Sequence, residues 1–220
     1  LIAALAFPMT TASAAGRYIK VNAEGTVKVV PDAVRLNATA TLVAGSNKEA
    51  LISLSAVSNS VRSALTANGV AAKDIATTSI TTYPEYNYSQ DKGQELIGYR
   101  ATQSFTVVVR KADSAGSVID AVVDAGGAPL QITGVAPFLS KGSSATAAAR
   151  RAAVLDAKER ARTYANLLGQ SLGRVLYLTE VSAPVYNRPV AAMAKAEGDT
   201  QIDLGEEEVT VSVTVRWALN

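Results

Sequence analysis

From Tyr18 to Leu42 apolar and polar residues change places at nearly every step, interrupted only at Gly25 and Pro31-Asp32. Successive strand side chains leave the backbone on opposite sides, so a period of two marks strands with one buried and one wet face. The pattern predicts strands over Tyr18–Glu24 and Thr26–Val30. A third carries Val34, Leu36, Ala38, Ala40 and Leu42 between the polar Arg35, Asn37, Thr39 and Thr41. The period then changes. Ser46-Asn47-Lys48-Glu49 is a capping box, Ala50, Leu54, Val57, Val61 and Leu65 follow at steps of three and four, and Asn68-Gly69 supplies a left-handed stop. This is a helix with one buried stripe.

Ile75–Tyr88 is rich in Thr and Tyr, and Gln90-Asp91-Lys92-Gly93 has turn chemistry. Ile97, Tyr99, Ala101, Phe105, Val107 and Val109 then alternate with Arg100, Thr102, Ser104, Thr106 and Arg110. The reading is a long hairpin from Ile75 to Arg110. Arms of about fourteen residues would project roughly 45 Å, further than one small core covers. Asp113 is placed to cap a short helix bearing Val118, Ile119, Val122 and Val123, stopped by Gly126-Gly127, before a strand over roughly Leu130–Leu139. Ser143 or Ser144 caps the longest helix, which runs to Leu168. Its expected inner side holds Val154, Ala157, Ala161, Tyr164, Ala165 and Leu168, and its outer face pairs Asp156 with Arg160 and Glu159 with Arg162. Periodicity vanishes between Ser182 and Gly205, so residues 183–205 read as a long flexible loop. Val209, Val211, Val213, Val215 and Trp217 then form the cleanest strand.

Gly169 and Gly173, in Leu167-Leu168-Gly169-Gln170-Ser171-Leu172-Gly173, could suggest a phosphate cradle. Phosphate loops run strand, glycines, helix, because the anion sits on free amides at a helix N-terminus. Here the order is helix, glycines, strand, so the glycines turn the chain.

Composition narrows the chemistry. The 220 residues are 48% hydrophobic, enough for a real core, and the formal net charge of +2 gives no strong field of either sign. With no Cys and no His, the chain has no thiol nucleophile, disulfide, imidazole base or ordinary zinc or haem site. Residues 1–15 begin with the apolar run Leu1 to Phe7 and reach Ala12-Ser13-Ala14-Ala15, which reads as the remnant of a secretory signal cleaved near Ala14 or Ala15. That run is too short to span a membrane, and no Cys follows it to carry a lipid. The expectation is an exported protein, periplasmic or otherwise outside the cytoplasm and soluble after cleavage, with a folded domain over residues 16–220.

Ser89-Gln90-Asp91-Lys92 fits S-x-x-K, but a turn does not hold the lysine one helical turn from the serine. Glu197, Asp199 and Asp203 miss the spacing of a calcium loop, and Glu206-Glu207-Glu208 alternate across a strand rather than converge. Arg150, Arg151, Lys158, Arg160 and Arg162 are interleaved with acids and lack the aromatics that stack bases, so no nucleic-acid partner is expected. No residue is assigned a catalytic, cofactor-binding or metal role. Tyr83, Tyr86, Tyr88 and Tyr99, on the two hairpin arms, remain as candidate oligomer contacts, since exposed tyrosine rings are enriched at interfaces.

Three stretches carry a resemblance: Gly25-Thr26-Val27-Lys28-Val29-Val30-Pro31-Asp32-Ala33, Ile97-Gly98-Tyr99 opening a long strand, and an Ala/Arg/Lys helix running into Leu172-Gly173-Arg174-Val175. In this order they resemble the SIMPL-domain family, which includes periplasmic immunogenic and YggE-like exported proteins of bacteria. The resemblance implies an exported α+β protein without established catalytic residues, associated in some members with stress resistance and ring-like oligomers. The chain is thus expected to be α+β, an antiparallel or mixed sheet with packed helices and a protruding hairpin. The expected function is that of a non-enzymatic, self-associating envelope protein with at most an indirect part in oxidative stress resistance. The rival is a monomeric periplasmic ligand-binding or hydrolytic domain.

Overall fold

The computed structural model describes residues 16–89, 93–182 and 200–220. The expected signal remnant at 1–15, positions 90–92 of the expected hairpin turn and positions 183–199 of the expected loop lie outside the described residues. In chain order the elements are β1 (Tyr18–Val29), β2 (Ala33–Ala44), α1 (Asn47–Ala67), β3 (Ile75–Ser89), β4 (Gly93–Val109), α2 (Ala115–Gly126), β5 (Leu130–Phe138), α3 (Gly142–Leu167), β6 (Leu172–Ser182) and β7 (Glu207–Leu219). The fold is α+β. Its sheets are antiparallel, one ordered β1-β7-β6 and the other β3-β4-β2-β5. The chain forms two compact units, one built on each sheet.

In the four-stranded unit, α1 and α2 cover one sheet face with Leu54, Val61, Leu65, Val118 and Val122 against Leu36, Phe105 and Val107. The local signals of α1 act as the sequence predicts. Ser46 Oγ accepts from the Glu49 amide at 3.2 Å, and Gly69 ends the helix at φ 81°. Val57 packs half-buried against the core as expected, and Ser58 beside it is buried as well, where it reaches across to the sheet. Its hydroxyl lies 2.8 Å from both Leu54 O and Gln103 Oε1, while Gln103 Nε2 donates to Thr77 Oγ1 at 3.2 Å. Burying these groups is tolerable because each finds a partner. Asp113 does not cap α2. It sits in a 3-10 turn over Ala112–Ser114, and α2 starts without a side-chain cap. The described end of the expected loop lies on this unit: Ile202 and Leu204 pack on its core, and Thr200 Oγ1 donates to Asp120 Oδ1 at 2.5 Å.

In the three-stranded unit, β1 runs unbroken through Gly25. Its inward residues shrink along the strand, Ile19, Val21, Ala23, Gly25, and α3 closes onto the small end. A Cβ added at Gly25 would lie 2.1 Å from Ala149 O and 2.3 Å from Ala153 N, so helix backbone meets strand backbone there. That approach sets the inner face of α3. Ala145, Ala149, Ala153, Ala157, Ala161 and Ala165 are buried, whereas Tyr164 and Leu168, expected inside, are exposed along with Leu155. A period of four follows the i±4 ridge, which runs obliquely to the helix axis. Asp156 and Arg160 pair at 2.8 Å on the outer face as expected. Gly169 closes the helix at φ 66°, with the Gln170 amide donating to Ala165 O at 2.9 Å, which is the chain-turning role assigned to it.

Replacing Gly25 with Ala must therefore push α3 off β1, because backbone on both sides cannot yield as a flexible side chain would. We expect destabilisation of at least about 2 kcal/mol, read as a melting temperature lower by at least about 4 °C. Gly16→Ala, a site with nothing within 4 Å, serves as the control and should melt like the parent. Equal melting of the two variants would refute the contact.

Candidate functional site

The hairpin β3–β4 is the candidate site. Register places Tyr83 opposite Arg100, Pro84 opposite Tyr99, Tyr86 opposite Leu96 and Tyr88 opposite Gln94, with Ile97 set off by a bulge. Alternation then divides the four tyrosines. Tyr86, Tyr88 and Tyr99 share a face with Ile80, Pro84 and Leu96, the face that nearer the core carries Ala101, Phe105 and Val107 beneath the helices. Tyr83 lies on the opposite face, where Arg100 holds Glu85 through two hydrogen bonds of 2.5 and 2.6 Å.

The apolar face continues past the helices. Tyr99 is half-buried against the core, but Tyr86, Leu96 and Ile80 are exposed and Tyr88 keeps 73% of its surface open. Geometry explains the overhang: at about 3.3 Å per residue β4's 17 residues span roughly 56 Å, while the 21 residues of α1 reach about 31 Å. The junction falls at Gly98. Its φ is 151°, and a Cβ there would lie 2.5 Å from Ala44 O at the end of β2. Only glycine lets β4 pass the end of β2 and continue as a free arm.

Carboxylates elsewhere are held singly. Asp32 accepts from the Ser140 amide at 2.6 Å and its hydroxyl at 2.9 Å, and the amide bond is the main reason its carboxyl is held below the usual range. Asp74 is buried and gripped by Arg110 through two bonds of 2.7 Å, which lower its pKa, as Arg100 lowers that of Glu85. Among the described residues no three acids gather closely enough to hold a metal ion, and no helix is long and apolar enough to cross a membrane. Of the motifs weighed in the sequence, Lys92, Glu197 and Asp199 lie outside the described residues.

With this geometry in hand, residues 19–217 match the SIMPL family, described as "Protein of unknown function (DUF541)", and the chain belongs to that family. It is 30% identical over 211 residues to the 26 kDa periplasmic immunogenic protein of Brucella melitensis, covering 90% of this chain and 82% of that protein. It is also 30% identical over 186 residues to the uncharacterized protein YggE of Escherichia coli K12, covering 83% and 73% respectively. The YggE of Edwardsiella ictaluri is 29% identical over 163 residues, 73% of this chain and 66% of that protein. None of these names carries an enzymatic activity.

The held carboxylates predict the acid response. A carboxyl whose folded pKa lies below its unfolded value contributes stability above the unfolded pKa, and that contribution is lost as pH falls through the folded one. Asp32, Asp74 and Glu85 all have this sign, and the chain has no histidine to titrate near neutrality. Thermal unfolding should therefore be flat from about pH 7 to 5.5 and fall below about pH 4.5. Asp74→Asn should melt lower at pH 7 and converge on the parent toward pH 3; a constant gap across that range would refute the role of the Asp74–Arg110 pair.

Proposed function

We propose that this chain is a non-enzymatic envelope protein, exported to the periplasm or beyond, that self-associates into a homo-oligomer through the overhanging face of the hairpin. The single observation supporting this is the uncovered apolar strip of Ile80, Tyr86, Tyr88 and Leu96, continuous with a core face that helices cover elsewhere. Soluble proteins seldom leave such a strip open unless a partner occupies it, and Tyr is a favoured residue at such contacts. A second copy fits because the strip is neutral and presents the same rings from each subunit, as a self-complementary symmetric contact requires. Tyr83, on the other face beside Glu85 and Arg100, takes a flanking place, and Tyr99 anchors the base of the contact.

Export is supported by the signal-like residues 1–15 and by the periplasmic name of the Brucella relative. In this reading residues 16–220 are the mature SIMPL-like part. An indirect role in oxidative stress resistance rests on the family resemblance. Direct oxidant scavenging is a poor fit, since after cleavage Met193 is the one remaining methionine and there is no Cys.

Light scattering decides the assembly. Tyr86→Asp combined with Tyr88→Asp should shift the protein toward monomer while its circular dichroism stays folded. An unchanged mass for that variant, or a parent already monomeric at micromolar concentration, would overturn the proposal and favour a monomeric ligand-binding domain.

A further inference from the structure

In the three-stranded unit α3 covers one sheet face, and the other face holds a trough of about 890 Å³. Its floor is the central strand β7, with Thr214 and Arg216; Tyr18 and Lys20 of β1 wall one side and Leu176 and Tyr177 of β6 the other. Register explains the gathering. Tyr177 stands opposite Arg216, so their side chains leave the sheet on the same side, as Thr214 does two residues away.

Arg216 is the unusual member. Its guanidinium carbon sits 4.4 Å above the Tyr18 ring, a stacking that fixes the plane of the charge. Yet its Nε is buried and donates to no acceptor. Buried donors are normally satisfied, and a charged one left unsatisfied in a fixed plane calls for an explanation. Ion pairs tie up Arg100, Arg110, Arg150 and Arg160 with carboxylates, but none is formed by Arg216 or Lys20 among the described residues. Two cations thus stand without counter-charge in a trough walled by Tyr18, Leu176 and Tyr177.

We infer that this trough binds a small amphipathic carboxylate: its head takes the Arg216 fork with Lys20 beside it, and its flat or aliphatic body lies along Tyr18, Leu176 and Tyr177. A carboxylate suits the site better than a phosphate. The guanidinium fork matches two carboxylate oxygens. Phosphate sites, by contrast, usually add free backbone amides from a helix end or a nest, and β7, hydrogen-bonded to a neighbour on each side, has its amides committed to the ladders. The inference rests on the open sheet face alone and does not depend on the hairpin.

Saturation-transfer NMR on the full chain, with phenylacetate as the probe, tests this whatever the oligomeric state. Phenylacetate should bind in the millimolar range, and 2-phenylethanol and phenyl phosphate at least fivefold more weakly. Arg216→Gln should weaken phenylacetate at least fivefold and Lys20→Gln about twofold, each with unchanged circular dichroism; if Arg216→Gln fails to fold, the exposed Lys20→Gln decides. No transfer to phenylacetate at 20 mM would overturn the site. Equal binding of the alcohol would refute its reading of charge, tighter binding of the phosphate its preference for carboxylate, and parent-like binding by the folded variants its location.

Discussion

A strand advances about 3.3 Å per residue and a helix about 1.5 Å, so a helix needs more than twice as many residues as the strand whose apolar face it hides. This ratio of lengths governs both units. The 26 residues of α3 reach about 39 Å, close to the roughly 40 Å of β1's 12 residues, and Ile19, Val21, Ala23 and Gly25 are buried on that face. No such match exists for β4, which outruns α1. The exposure of Tyr86 and Tyr88 follows from that shortfall: they occupy ordinary inward positions of an alternating strand, at a height where no helix remains to meet them.

Coverage also has a thickness, and here the units differ in kind. The four-stranded sheet holds its helices off with Phe105, Leu36, Leu54 and Leu65, so side-chain burial supplies its cohesion. The three-stranded unit sets an alanine ridge on a strand that tapers to Gly25, so the elements touch nearly backbone to backbone. Alanine buries little area but loses no side-chain entropy on packing, and close approach brings main-chain atoms into dispersion contact. The glycines of the three family-like stretches have related roles. Gly25 admits α3, Gly98 admits the end of β2, and a Cβ on Gly173 would stand 3.0 Å from Ala218 O across the bulged pairing of β6 with β7.

The elements legible in the sequence are those whose cause is local. Alternation, the Ser46 capping box, Asn68-Gly69 and the helix-then-glycine order at Gly169 each depend on a few adjacent residues, and each appears where the pattern places it. The inner face of α3 depends instead on a glycine more than a hundred positions earlier. Hydrophobicity ranked Tyr164 and Leu168 inside, but the close contact of Ala149 and Ala153 with Gly25 turns the alanine row inward and leaves those two side chains exposed. The tyrosine cluster was legible in part. Parity along β3 already separates Tyr83 from Tyr86 and Tyr88, while the side on which Tyr99 falls depends on pairing and on the bulge at Ile97. The trough left no local signal, because Tyr18, Tyr177 and Arg216 come from three distant strands and meet only through register.

The hairpin offers two surfaces for association, its outer edge and its apolar face, and its own irregularities separate them. β3 is an edge strand, whose unpaired amides and carbonyls could in principle template a further strand. Pro84 removes one donor from that row, and a register shift between Thr77 and Ser79 breaks its regular spacing. These are devices by which natural sheets blunt an edge. The face has no such defence: Ile80, Thr82, Pro84, Tyr86 and Tyr88 put no charge on it, and the ion pair of Glu85 with Arg100 lies on the other side. Proline and the register shift blunt the edge that would extend a sheet without limit. The surface left open can close against a matching one, which is the geometry a finite assembly requires.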